Sequence, residues 1–107
     1  MKQDLDMKAK VKQVLKVVQE LAPGRSVELR IPPYAAIQCV AGSSHRRGTP
    51  PNVIEMSAQT LINLSENPYQ WEELCSIGMI SASGANSNLK KLFIQISKLK
   101  PKSRLEI

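Results

Sequence analysis

The side chains best suited to catalysis are the hydroxyls of Ser43 and Ser44 and the imidazole of His45, which are consecutive in the chain. A serine and a histidine form a nucleophile and base when a third group orients the imidazole. Neighbours in an irregular loop seldom hold that geometry, and no carboxylate lies nearby in the sequence. Phosphate-binding glycine loops, HExxH pairs, GxSxG elbows and calcium loops are also missing. We therefore predict no catalytic residue and no cofactor.

Two cysteines, Cys39 and Cys75, lie far apart in the sequence, each among apolar neighbours. This setting is typical of buried free thiols rather than of a disulfide framework. A zinc site would need further ligands, and His45 is not spaced from either cysteine as in zinc-binding motifs. The sequence therefore predicts free thiols and no metal site.

A loop rich in glycine, proline and arginine is the best candidate for binding an anion. Its charge and backbone donors come from four residues, Arg46, Arg47, Gly48 and Thr49. The alternative is a solvated connection stiffened by Pro50 and Pro51. Both interpretations stay open.

The net charge of +6 is concentrated near the end of the chain. Residues 89–107 hold five lysines and one arginine against Glu106 alone, whereas residues 25–88 hold four arginines against five glutamates. Such a segment attracts anionic lipid head groups or nucleic acid, or keeps a protein soluble. No basic segment is interleaved with aromatic residues as in common single-strand binders. Nucleic acid is therefore the less favoured partner.

Helical periodicity predicts an amphipathic helix over residues 5–22. Ser57 is the expected N-cap of a short second helix, and Asn67 is the expected N-cap of a third, as part of a capping box. A final helix is predicted to begin at Asn86 or Ser87, with its apolar stripe on Leu89, Leu92, Phe93 and Ile96. We expect it to end at Pro101, leaving a frayed tail over residues 101–107.

Alternating apolar residues predict strands between these helices. Val27, Leu29 and Ile31 alternate with charged residues, which indicates one buried face and one solvated face. Three further strands are expected, over residues 34–40, 53–56 and 79–83. The elements together predict an α+β fold in one domain, residues 1–107.

Several segments resemble the bacterial branch of the sterol carrier protein family. They are Pro33–Val40 (PYAAIQCV), Arg47–Glu55 (RGTPPNVIE), Trp71 and Gly78–Gly84 (GMISASG). The resemblance is strongest over residues 27–93, and its most specific part is the RGTPPN segment.

The resemblance implies a twisted, largely antiparallel sheet of about four to five strands, covered on one face by helices. It also implies an apolar cavity between the sheet and the last helix, able to hold a sterol, a fatty acyl chain or a similar lipid. We expect the cavity to be lined by eight residues, Ile37, Met56, Trp71, Met79, Leu89, Leu92, Phe93 and Ile96.

We therefore predict a small non-catalytic lipid-binding or lipid-carrier module, with Arg46, Arg47 or the lysines of residues 89–107 meeting an acidic head group or an anionic membrane surface. One alternative is a nucleic-acid-binding protein that uses the basic C-terminal segment. The other is an interaction domain with a filled core. Because no apolar run is long enough to cross a bilayer and residues 1–6 are too polar for a secretory signal, we expect a cytoplasmic protein.

Overall fold

The computed structural model describes residues 2–42 and 50–105. Within these residues the chain forms four helices, four strands and one 3-10 turn. In chain order they are α1 (Lys2–Leu21), β1 (Val27–Ile31), β2 (Ala35–Cys39), β3 (Asn52–Met56), α2 (Ala58–Glu66), the 3-10 turn (Pro68–Gln70), α3 (Trp71–Ser76), β4 (Ile80–Ser83) and α4 (Lys90–Leu105).

The four strands form one mixed sheet in the order β2-β1-β3-β4. β1 pairs antiparallel with β2 and parallel with β3, and β3 pairs antiparallel with β4. The predicted α+β fold with a largely antiparallel sheet beneath helices is confirmed. The parallel pairing of β1 with β3 was not predicted.

The two faces of the sheet have opposite character, as the alternation in β1 predicts. Val27, Leu29 and Ile31 are buried beneath the helices. Glu28 and Arg30 lie on the other face, where Arg30 Nε donates a hydrogen bond of 2.6 Å to Glu28 Oε2. This open face is polar, so the apolar core lies on one side of the sheet only.

The core is formed where the helices pack on the buried face of the sheet. α1 contributes Val11, Leu15 and Val18, while α2 contributes Leu61 and Leu64. The rings of Trp71 in α3 and Phe93 in α4 stack with their centroids 6.4 Å apart. Stacked aromatic pairs add about 0.5–1.5 kcal/mol beyond the area they bury. The two rings therefore link α3 and α4 across the core.

The start of α2 agrees with the prediction, and the start of α3 does not. Ser57 Oγ accepts the N–H of Thr60 at 3.1 Å and caps α2. Asn67 makes no such side-chain bond, because the N–H of Gln70 bonds instead to the backbone carbonyl of Asn67 at 3.3 Å. That i to i+3 bond closes the 3-10 turn, and α3 begins only at Trp71. The predicted capping box is therefore wrong.

Both predicted ends of the last helix are also wrong. Asn88 Oδ1 accepts the N–H of Lys90 at 2.9 Å and caps α4, whereas the N–H of Asn86 bonds to the side chain of Asn52. The helix continues past Pro101 to Leu105. A proline removes its own N–H donor and clashes with the preceding turn, which kinks some helices without ending them. The predicted end of this helix at Pro101 is therefore wrong.

Candidate functional site

The structure places most of the predicted pocket residues in the hydrophobic core. Six of the eight are buried there: Met56, Trp71, Leu89, Leu92, Phe93 and Ile96. Ile37 is half-buried and packs against the same cluster. Met79 is 49% exposed and lies outside it. Seven of the predicted residues are thus brought together, and Met79 is not.

A groove of about 470 Å³ lies at one end of the sheet, where β1 begins, β2 ends and the chain turns toward α4. It is lined by Ser26, Val40, Ala41, Gly42, Ala85, Asn86, Asn88 and Leu89. The groove is broadly open to solvent rather than an enclosed cavity. Leu89 belongs both to this groove and to the core cluster, so the groove reaches the apolar interior at that residue.

Asn52 joins two walls of the groove through its buried side chain. Its Nδ2 donates to the carbonyl of Ser26 at 2.8 Å, and its Oδ1 accepts the N–H of Asn86 at 2.9 Å. Only 3% of Asn52 is exposed. Because a buried polar group without a partner costs about 1–3 kcal/mol, these bonds fix the turn before α4 against the start of β1.

Ser26 binds the third wall of the groove, which is formed by the end of β2. Its Oγ donates to the carbonyl of Val40 at 2.7 Å, and its backbone N–H bonds to the same carbonyl at 3.0 Å. The start of β1 and the end of β2 are therefore held together beside the groove.

Gly24 and Gly84 make these close approaches possible. Gly84 has a φ of +105°, and a Cβ there would overlap the side chain of Asn52. Gly24 has a φ of +153°, and a Cβ there would overlap the carbonyl of Val40. Residues with a side chain rarely adopt such backbone angles. Glycine is therefore required at both positions, because of the backbone angle and because of the lack of space for a Cβ.

Sequence reasoning missed Ser26 and Asn52 as site residues. The only signal for Asn52 was its place at the end of the RGTPPN segment, and Ser26 had none. The candidate anion loop, Arg46, Arg47, Gly48 and Thr49, lies outside the described residues, as do Ser43, Ser44 and His45.

A charged contact ties α4 to α3. Lys90 Nζ lies 3.0 Å from both carboxylate oxygens of Glu72 and 5.7 Å from the centre of the Tyr69 ring. The hydrogen bond from Lys90 lowers the pKa of the Glu72 carboxyl below its ordinary value. The Glu72 side chain is exposed and the Lys90 side chain is partly buried, so the pair adds little to the stability of the fold.

The cysteine side chains are poorly suited to nucleophilic chemistry. Both are free, with Cys39 buried and Cys75 half-buried. Burial raises the pKa of Cys39 to about 11, and burial followed by the charge of Glu72 raises the pKa of Cys75. Both thiols are therefore protonated at neutral pH, whereas the thiolate is the reactive form. Among residues 2–42 and 50–105, no three His, Cys, Asp or Glu side chains are grouped as metal ligands.

We expect the two thiols to react very differently with a disulfide reagent such as DTNB. In the folded protein Cys75 reacts slowly and Cys39 does not react, because Cys39 is shielded from solvent and stays protonated. The Cys75→Ser variant leaves Cys39 as the remaining thiol, and a rapid reaction of Cys39 under native conditions would contradict its burial.

The raised pKa of Cys39 also makes stability depend on pH. Since the folded pKa of Cys39 is raised, its contribution to stability is present at neutral pH and is lost as pH rises from 9.0 to about 11.

No helix in the described part of the chain is long and apolar enough to span a membrane. The fold is that of an α+β domain in which helices cover one face of a mixed sheet and a groove opens at one end of it. A family model described as bacterial SCP ortholog matches residues 3–94. The chain therefore belongs to the bacterial sterol carrier protein family. No curated protein matches it.

Proposed function

We propose that this protein is a small, non-catalytic, cytoplasmic module that binds or carries lipid. The observation that carries the proposal is the match to the bacterial sterol carrier family over residues 3–94. The buried side of α4 supports it, because Leu92, Phe93 and Ile96 bring apolar side chains into the core. Fatty acyl chains are the favoured ligands.

The proposed site lies between the sheet and α4, around Trp71, Leu92, Phe93 and Ile96. These side chains are packed against one another in the core, so an acyl chain enters only if α4 moves and its side chains rearrange. Binding then gains about 25 cal/mol for each Å² of apolar surface removed from water, less the cost of association and of this rearrangement.

The groove is the proposed entrance. Leu89 lines it and also contacts the core, so an acyl chain passing Leu89 leaves its head group among the polar groups of Ser26, Asn86 and Asn88. Arg46 and Arg47 follow Gly42 in the chain by only a few residues, and we propose that they meet an acidic head group. Ile37 and Met56 complete the proposed apolar lining, and Met79 remains a proposed contact from the surface.

Titration of delipidated protein with a naturally fluorescent polyene fatty acid tests this proposal. We expect saturable binding, weakened in Ala85→Trp, because a large side chain at this exposed position fills the groove without entering the core. The matched control is Ala36→Trp, which is exposed on the open face of the sheet and should bind as wild type does.

Two outcomes distinguish the proposed lipid-binding function from the proposed entrance to the site. Absence of saturable binding by the wild-type protein contradicts the lipid-binding function. Equal binding by wild type and Ala85→Trp leaves the function intact and places the entrance elsewhere.

A further inference from the structure

The two edge strands of the sheet, β2 and β4, differ in the contacts they make. At one edge, α1 packs against β2, and Gln19 Nε2 donates to the backbone carbonyl of Gln38 at 3.2 Å. At the other edge, the backbone of β4 is hydrogen-bonded to β3 and to no other strand in the described residues. An exposed edge strand offers unpaired N–H and C=O groups as a template for a further strand. β4 therefore has an unused pairing edge.

β4 lacks three of the features that commonly protect such an edge, namely charge, proline and a bulge. The sequence from Ile77 to Leu89 contains no charged residue and no proline. Ser81, Ala82 and Ser83 are small and exposed, and β4 pairs with β3 in continuous register without a bulge. Natural edge strands are commonly blocked by lysine, proline or a bulge. Within β4 itself, therefore, no charged or bulky exposed side chain hinders the approach of a second strand.

The helical layer reaches only the start of β4, where α3 lies close to the strand. Ile80 and Ala82 point to the same face of the sheet, but Ile80 is buried while Ala82 is exposed. Just before the strand, Ile77 is 63% exposed and Met79 is 49% exposed. Space and apolar surface are therefore both present beside β4.

We propose that the edge of β4 is a self-association surface, on which a second copy of this chain pairs antiparallel through its own β4. The two four-stranded sheets then form one continuous sheet around a two-fold axis perpendicular to it. With Ser81 opposite Ser81 of the second copy, Met79 of each chain lies beside Ser83 of the other. The proposal does not depend on lipid binding.

A second copy fits this edge better than an unrelated charged segment does. In a two-fold antiparallel pair the central residue faces its own copy and the other residues face their symmetry mates, so a charged strand would bring like charges close together. β4 is neutral over its whole length, although each chain carries a net charge of +6. The strand itself therefore adds no like-charge repulsion to this pairing.

The dimer should be weak and should depend on salt. A four-residue strand supplies few main-chain hydrogen bonds, and stable interfaces usually bury more than about 1,000 Å² in total. The charges on the two copies repel at low ionic strength and are screened beyond about 10 Å at 0.1 M salt. The dimer fraction is therefore expected to rise with both protein concentration and salt.

Sedimentation velocity of the full chain, from micromolar to millimolar protein at low and high salt, tests the proposal. We expect the wild type to shift from monomer to dimer and Ser81→Lys to remain monomeric. The matched control is Ala36→Lys, since residues 36, 30, 55 and 81 form one row across the open face of the sheet, with Ala36 on the covered edge strand. This control should dimerise as the wild type does.

Each outcome bears on the edge itself. A wild type that stays monomeric under all conditions overturns the proposal, as does a Ser81→Lys variant that dimerises normally. If Ser81→Lys fails to fold by circular dichroism, Ala82→Lys takes its place with the same expectation. Capture of an extended peptide by a purely monomeric protein would assign the edge to a different partner and also overturn the proposal.

Discussion

The Phe93→Ala variant is expected to lose about 3–5 kcal/mol of unfolding free energy, which is the usual cost of removing a buried phenylalanine ring. Phe93 has no exposed surface, and its ring stacks on Trp71 6.4 Å away. The substitution removes the aromatic contact between α3 and α4 and leaves a cavity on the proposed path of the acyl chain. Urea denaturation monitored by circular dichroism measures the loss.

The same variant also reports on the proposed ligand site. A fatty acid that occupies the vacated space should raise the urea midpoint of Phe93→Ala by more than it raises that of the wild type, because a ligand that binds only the folded state stabilises it. Ile77→Ala is the control, since Ile77 is 63% exposed and its truncation should change the stability by less than about 0.5 kcal/mol. A loss below about 1 kcal/mol in Phe93→Ala would contradict the packing described for this ring.

The Asn52→Ala variant is expected to lose about 2–4 kcal/mol, because both the carbonyl of Ser26 and the N–H of Asn86 lose their partner. The start of β1 and the turn before α4 then separate, so hydrogen exchange should rise at Asn86 and through the first turn of α4. Hydrogen exchange followed by NMR measures this local opening, and urea denaturation measures the total cost.

Asn86→Ala provides the matched control for Asn52→Ala. Asn86 contributes its backbone N–H to Asn52, so removal of its exposed side chain leaves the bond in place. The control should keep the stability of the wild type to within about 0.5 kcal/mol. Equal losses in the two variants would show that the Asn52 bridge is not what fixes this turn.

Local patterns predicted those elements whose residues contact near neighbours in the chain. The alternation of Val27, Leu29 and Ile31 defines the buried face of β1, and Ser57 caps α2 through a residue only three positions away. The periodic stripe on the last helix likewise places Leu92 and Phe93 in the core. In each case the residue pattern itself sets the side that becomes buried.

Contacts between distant parts of the chain explain the features that the sequence did not predict. The N–H of Asn86 is taken by Asn52, which lies 34 positions earlier, and α4 therefore begins later than its local sequence indicates. The parallel pairing of β1 with β3 depends on where the chain returns after β2, which no local period specifies. The groove was missed for the same reason, since small and polar residues from three separate segments form it.

The position of β1 between a sequence neighbour and a distant partner also sets the order of folding events. Its pairing with β2 joins neighbouring segments of the chain, whereas its pairing with β3 joins Leu29 to Ile54 and requires closure of a longer loop. Loop closure costs only about 0.6 kcal/mol more for each doubling of loop length. Insertions after Gly42 should therefore slow folding slightly and cost little stability, as long as Asn52 still reaches Ser26.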